Sequence, residues 1–431
     1  MHVSETLSID VLEAARRRIA YVFAHFDNVV VAFSGGKDSG VLLNLAIEHV
    51  ERHEPARRIG VFHLDYEAQY SATTDYVDAT YQDLAGRVEN LRCCVPVKVP
   101  TCTSMYQTFW RPWEEEKRNL WVRDLPPYHL SAADFPFITP EMSDYEFQER
   151  FSLWHHQKTG AGRTCILIGL RAEESLDRWR TIVSDRNIHK FQGRPWTTKV
   201  YENVYNAYPI YDWAVEDIWR ANGRFGWRYN SLYDLFHQAG VPLHAMRVAS
   251  PFISAAKASL SLYRAIDPQI WGRLVSRVNG VNFMAIYGDT KAVGWREVEK
   301  PAHMTWKDYA MFLLDTLPPE TAEGFRQKLA TSIKFWREKG GVLTNETMDD
   351  LRRAGIHFEV GGPTNYKTDK LPVRMEYADD VESNEFRLIP TWKRLAITIL
   401  KNDHAGKYMG FAPTKAEMAR RAEIIEKYRG L

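Results

Sequence analysis

Short apolar runs alternate with helical spacing through the first half of the chain. Residues 9–26 (IDVLEAARRRIAYVFAHF) carry helical spacing, and Val29 to Phe33 form a continuous apolar run of the kind that strands buried on both faces of a parallel sheet require. From Asp38 to Arg52 the pattern returns to a helix, with Val41, Leu42, Leu45, Ala46 and His49 on one face. A second strand is predicted over Arg58 to Leu64, a helix over Thr74 to Val88, and a strand in CCVPVKV from Cys93 to Val99. Ser143 to Lys158 is predicted helical, Thr164 to Gly169 (TCILIG) a buried strand, and Ala172 to Val183 a helix. Such switching between periods marks βαβ units and therefore an α/β fold with a parallel sheet.

Beyond Tyr229 the spacing becomes helical over 230–239, 267–278, 305–338, 391–401 and 414–428, with a Pro/Gly-rich loop, GGPTNYKTDKLP, near residue 365. The expectation is a nucleotide-binding α/β unit over 1–255 and a mainly helical part over 256–431. The segment 102–142, rich in Trp, Pro and charge, reads as an inserted lid or connector.

Composition narrows the class. The 431 residues are 45% hydrophobic and 26% charged, enough to bury sizeable cores. No apolar run is long enough to span a bilayer and the N-terminus does not read as a secretory signal, so a cytoplasmic location without membrane contact is expected. Four cysteines, Cys93, Cys94, Cys102 and Cys165, make no disulfide framework. Lys and Arg total 56 against 55 Asp and Glu, so no global field recruits nucleic acid, although a local basic groove can coexist with that balance.

The chemistry concentrates in FSGGKDSG, residues 33–40, between the first strand and its helix. Gly35 and Gly36 let backbone N–H groups approach an anion, and the helix start adds its unsatisfied donors and positive dipole end. Lys37 brings a full charge, Ser34 and Ser39 bring hydroxyls, and Asp38 offers an oxygen ligand to magnesium. The spacing matches neither GxxxxGK[ST] nor GxGxxG. Asp65 ends the second strand at the same sheet edge. Arg171 follows TCILIG, where a guanidinium can clamp phosphate or sulfate, with Glu174, Ser175 and Arg178 just beyond.

SGGKDS resembles the pyrophosphate loop of the PP-loop ATP pyrophosphatase superfamily. IGLRAEESLDR (168–178) and PIYDWAVEDIW (209–219) are similar to segments of its phosphoadenosine-phosphosulfate reductase branch. MRVASPF (246–252), DPQIWGRLVSRVNG (267–280) and PTWKRLAITILKNDHAGKYMGF (390–411) resemble the C-terminal region of an immunoglobulin-binding regulator A-like subgroup. The resemblance implies an adenine-nucleotide alpha-hydrolase-like fold and a site binding ATP or an adenylyl-sulfate-like nucleotide. It places Ser34, Gly35, Gly36, Lys37, Asp38, Ser39, Asp65, Arg171, Glu174 and Arg178 at the nucleotide. Lys37, Asp38 and Arg171 would carry the chemistry, with Mg at Asp38.

The reductases attack sulfur with a cysteine on a C-terminal tail. Here the last cysteine is Cys165, within a predicted buried strand, so cleavage of ATP between its α- and β-phosphates is expected instead. No iron-sulfur cluster is expected. The alternatives implied by the resemblance are a nucleotide-sensing regulator with a ParB-like partner and a component of nucleic-acid sulfur modification. Arg247, Lys393, Arg394, Lys401, Asp403 and His404 carry no readable mechanism. Adjacent His155 and His156 point in different directions on a helix and are poor joint metal ligands.

Overall fold

The computed structural model describes residues 10–104, 107–183, 190–253, 260, 262–278, 280–281, 300–301, 303–361, 370–404 and 406–411. Helix α1 (Val11–His25) leads into strand β1 (Asn28–Ala32), helix α2 (Lys37–His53), β2 (Ile59–Leu64), α3 (Ser71–Asp83) and β3 (Val88–Cys93). A two-residue pair, β4 (Val99–Pro100) and β5 (Phe109–Trp110), precedes α4 (Asp144–Thr159), β6 (Thr164–Ile168) and α5 (Leu176–Val183). The hairpin β7 (Thr197–Tyr201) and β8 (Val204–Ala207) is followed by α6 (Val215–Phe225) and α7 (Leu232–Gln238).

The main sheet has the order β3-β2-β1-β6-β8-β7, parallel except for β7. Strand alternation divides its core in two, because successive side chains face opposite sides. Val29 and Val31 join α1, α2, α3 and α6 on one face, whereas Val30 and Ile166 join α4 and α7 on the other.

Three sequence expectations shift. The third strand is Val88–Cys93 rather than Cys93 to Val99: it pairs with β2 from Ile59↔Val88 to Leu64↔Cys93. Val95, Val97 and Val99 are buried all the same, which produced the strand-like pattern, but Pro96 has no N–H to give a ladder. The β7–β8 hairpin was not anticipated. The segment 102–142 is no simple flap, since Trp110, Trp113, Trp121 and Phe135 are all buried.

Packing runs on past residue 255. Helices α8 (Tyr263–Ile266) and α9 (Pro268–Arg277) share the core of the second face. Tyr263 stacks on Tyr70 with ring centroids 3.5 Å apart, and the Ser71 N–H donates to Asp267 at 2.8 Å. The rest of the chain builds two further cores around α10 (Trp306–Thr316), α11 (Pro319–Glu338), α12 (Asn345–Arg353) and α13 (Trp392–Leu400). The helical spacing over 305–338 is broken at Leu317–Pro318, where proline cannot continue a helix. This mainly helical part also holds a small antiparallel sheet, ordered β10-β11-β9, from Gly341–Leu343 (β9), Phe358–Val360 (β10) and Leu371–Met375 (β11). The predicted helix 414–428 and most of the loop near 365 lie outside the described residues. Among the described residues no helix is long and apolar enough to cross a membrane.

Candidate functional site

The chain leaves β1 towards β2 and β3 on one side, then returns to form β6 on the other. The crevice between β1 and β6 is therefore the topological switch point of the sheet, where ligands bind outside the carboxyl ends of the strands. FSGGKDSG closes β1 and Gly169-Leu170-Arg171 closes β6, so two stretches 133 residues apart meet there.

Glycine is needed on both sides. Gly35 has φ +77°, and a Cβ would stand 2.9 Å from Val77 Cγ2. A Cβ on Gly169 would approach the backbone of Asp38 and Ser39 at 3.1 Å. Gly169→Ala is expected to destabilise the fold by about 1–3 kcal/mol through overpacking. Gly223→Ala, in helix α6 with nothing within 4 Å, is expected to stabilise by about 0.5–1 kcal/mol. Urea unfolding of the two variants checks the contrast.

Within the turn, Ser34 Oγ and Ser39 Oγ lie 3.0 Å apart, and Ser39 Oγ donates to the Gly36 carbonyl at 3.1 Å. The Lys37 N–H donates to the Tyr233 hydroxyl at 3.0 Å, and Asn230 Nδ2 donates to the Gly35 carbonyl at 2.9 Å. Lys37 is buried, with its Nζ 3.0 Å from Asp38 Oδ2. Burial lowers its pKa and the Asp38 carboxylate opposes the shift. Asp38 Oδ1 accepts from Arg171 Nε at 2.6 Å, so one carboxylate spans both cations. Arg171, 3% exposed, also donates to Glu173 at 2.7 Å and Glu174 at 3.2 Å. Glu174 in turn pairs with Arg178. Burial lowers the Arg178 pKa, and the like charge of Arg247 lowers it further.

His63 supports the turn from below. Its Nδ1 lies 2.7 Å from the Phe33 carbonyl oxygen, which can only accept, so Nδ1 carries the proton. Burial lowers its pKa from 6.5 to about 4. Between those values the unfolded chain takes up a proton that the folded chain does not. Stability therefore falls as pH drops through this window, by up to roughly 3 kcal/mol. His63→Gln is expected to flatten that part of the profile when urea midpoints are compared at pH 7 and pH 4.5.

The structure thus brings together Ser34, Gly35, Gly36, Lys37, Asp38, Ser39, Arg171, Glu174 and Arg178. Asp65 goes elsewhere. It is fully buried at the end of β2: Oδ2 accepts from Arg92 Nε at 2.9 Å, and Oδ1 accepts from the Glu67 N–H at 3.0 Å and from Arg123. Burial pushes its pKa up, but Arg123 and Arg92 more than offset this and hold it well below the usual carboxylate range. A ribose hydroxyl finds both oxygens engaged. Glu67, two residues on, is buried at φ +63° and accepts from the N–H groups of Trp113 at 2.7 Å and Val122 at 3.0 Å. It also accepts from Arg277 Nε at 2.8 Å, tying the inserted segment and α9 to the sheet edge.

Tyr233 and Asn230 were missed because only the tertiary fold carries them to the turn. The later candidates serve other contacts. Arg394 donates to the carbonyls of Ile389 and Tyr408, Lys393 pairs with Asp380 at 2.6 Å, and Asp403 accepts from the Tyr408 N–H. Lys401 Nζ lies over the Tyr408 ring, and His404 Nε2 is 3.2 Å from the Ser104 carbonyl oxygen. His155 meets Glu89 and Asn28, while His156 meets Thr164. All four cysteines are buried, and burial raises the thiol pKa of Cys93, Cys94 and Cys165. Among the described residues no group of three or more His, Cys, Asp or Glu is placed to hold a metal ion.

The phosphoadenosine phosphosulfate reductase domain family matches residues 28–239, and a domain of unknown function, DUF3440, matches residues 240–420. Uncharacterized protein YbdN of Escherichia coli strain K12 is 33% identical over 416 residues, covering 95% of this chain and 93% of that protein. Solved structures similar to this chain include a phosphoadenylyl-sulfate reductase from Candida auris in a phosphate complex. It has a TM-score of 0.31 at 13% identity, over 55% of this chain and 93% of that one. Another is Candida glabrata FMN adenylyltransferase in complex with ATP, with a TM-score of 0.31 at 12% identity over 52% of this chain and 57% of that one. The U34-tRNA thiolase NcsA from Methanococcus maripaludis, with its [4Fe-4S] cluster, has a TM-score of 0.31 at 12% identity, over 64% and 79% of the two chains.

Proposed function

Since this chain belongs to the phosphoadenosine phosphosulfate reductase domain family, we propose that it binds ATP at the β1–α2 turn and transfers the adenylyl group, releasing pyrophosphate, without reducing phosphosulfate. The observation that carries the reading is the pairing of a phosphate cradle with a complete set of buried thiols. Lys37, the two serines and the start of α2 face one crevice with Arg171 and Arg178, whereas no cysteine is exposed.

Reduction of a phosphosulfate needs a thiolate to attack sulfur, and a thiol held neutral inside the core does not reach it. Transfer from ATP needs no nucleophile from the chain. The acceptor's nucleophilic atom bonds to the α-phosphorus, the bond from that phosphorus to the bridging oxygen breaks, and the electron pair leaves with pyrophosphate. Lys37 Nζ and the helix-start N–H groups that Ser34 and Tyr233 do not already engage stabilise the charge that the leaving group gains. Arg171 holds Asp38 at the crevice through its Nε and is itself fixed by Glu173 and Glu174.

Asp38 fits magnesium, which takes one or two carboxylates together with substrate phosphates and water, and the ion would supply charge neutralisation at the pyrophosphate. Its two oxygens are paired with Lys37 Nζ and Arg171 Nε in this structure, so a magnesium ion bound there would take the place of one of those contacts. Asp65 is left out of this proposed binding set because it is fully buried with its oxygens on Arg92 and Arg123, whereas the Asp38 side chain is 14% exposed at the crevice.

The test is a sulfite-release assay with adenylyl sulfate or its 3′-phosphate, and thioredoxin or dithiothreitol as reductant. No sulfite above the protein-free rate is expected. Turnover that disappears in the Cys93→Ser, Cys94→Ser, Cys102→Ser, Cys165→Ser variant would reject the exclusion of thiol chemistry.

A further inference from the structure

Arg247 lies in the segment that follows α7, within the second matched family region, and the cradle described above does not use it. Its side chain is exposed, and among the described residues it makes no hydrogen bond and no ion pair. The other cations of the crevice are all partnered: Lys37 by Asp38, Arg171 by Asp38, Glu173 and Glu174, and Arg178 by Glu174. Arg247 nevertheless sits where Lys37 and Arg178 both feel its charge. An exposed guanidinium with no carboxylate partner, close enough for those cations to feel it, is available to an incoming anion.

Its position indicates which anion. Arg247 lines a small cleft with Gln69, Tyr70, Thr73 and Tyr263. Thr73 is also the residue that packs against Gly35, so this cleft opens beside the turn on its β2 side. A nucleotide whose terminal phosphates rest on the start of α2 directs its remaining phosphate and nucleoside away from that helix end. Gln69 and the mutually stacked rings of Tyr70 and Tyr263 are buried in the floor of this cleft, which at about 10 Å³ leaves Arg247 at its edge to meet the phosphate while the nucleoside stays outside.

We propose that Arg247 is a further residue of the nucleotide site, binding the α-phosphate at which the bond breaks, while Lys37 holds the terminal pair. This rests on the ATP reading above. It makes the site a joint product of the two family regions, one supplying the cradle and the other a guanidinium for the reacting phosphate.

The experiment is calorimetry of ATP, AMP and pyrophosphate with the full chain, its Arg247→Ala and Arg247→Lys variants, and Lys37→Ala. Arg247→Ala is expected to weaken ATP and AMP by roughly tenfold or more and to leave pyrophosphate unchanged. Arg247→Lys is expected to retain part of the affinity, since a lysine keeps the charge but loses the paired donors. Lys37→Ala is expected to show the reverse selectivity, losing pyrophosphate and keeping AMP. If Arg247→Ala binds all three ligands like the unaltered chain, or loses pyrophosphate as strongly as AMP, the inference is overturned while the ATP reading stands. If the unaltered chain binds neither ATP nor pyrophosphate, both are overturned.

Discussion

Replacing Arg277 by alanine is expected to destabilise the protein by about 3–5 kcal/mol, the cost of leaving a buried charge without its partner. Glu67 is 0% exposed and accepts from Arg277 Nε at 2.8 Å and Nη2 at 3.1 Å. Without that guanidinium the carboxylate keeps only the N–H groups of Trp113 and Val122 as donors. The Arg111 carbonyl, which accepts from Arg277 Nη2 at 2.6 Å, loses that donor as well. Because Glu67 belongs to the turn after β2 and Arg277 to α9, the damage reaches the α/β unit from a residue beyond position 255. Urea unfolding followed by circular dichroism measures the loss. Combining Glu67→Gln with Arg277→Met is expected to recover part of it by removing both charges. Arg353→Ala, at an ion pair whose arginine is 77% exposed, is expected to cost less than about 1 kcal/mol.

Lys37→Ala is expected to have the largest effect on binding. Loss of a charge-assisted contact of about 1.5–3 kcal/mol weakens ATP binding roughly ten- to a hundredfold. The fold is expected to survive, because Asp38 keeps Arg171 Nε at 2.6 Å and the Lys37 N–H bond to Tyr233 is a backbone bond that alanine also makes. Calorimetry with ATP, paired with the urea midpoint, separates the two effects. A variant that binds ATP as tightly as the unaltered chain would remove Lys37 from the site.

The turn was legible in the sequence because all of its signals are local: an apolar run, two glycines, a lysine and an amphipathic helix follow one another without interruption. Arg171 was legible through a second strand ending of the same kind, and the strand order then brings the two together at the switch point. Tyr233 and Asn230 gave no signal, since one hydroxyl and one amide become part of the cradle only through the packing of α7 and its preceding turn. Asp65 had the right position and the wrong surroundings. Its partners Arg92 and Arg123 lie 27 and 58 residues away, and spacing alone does not reveal that they consume its oxygens. The third strand was displaced because Val95, Val97 and Val99 alternate and are buried without pairing in the main sheet, so periodicity reported burial rather than hydrogen bonding. The role of α9 was equally hidden, because a helix with an ordinary apolar stripe gives no sign that its Arg277 completes a buried carboxylate on the sheet edge.

The site of ATP cleavage is read by following the phosphorus. ATP and magnesium, incubated with the protein and fractionated cell extract as the source of acceptor, are monitored by phosphorus NMR, with Lys37→Ala as the control. Pyrophosphate and an adenylyl product are expected to appear together, and Lys37→Ala is expected to suppress both. Formation of ADP with inorganic phosphate by the unaltered protein, lost in Lys37→Ala, would place the cleavage between β and γ and contradict adenylyl transfer.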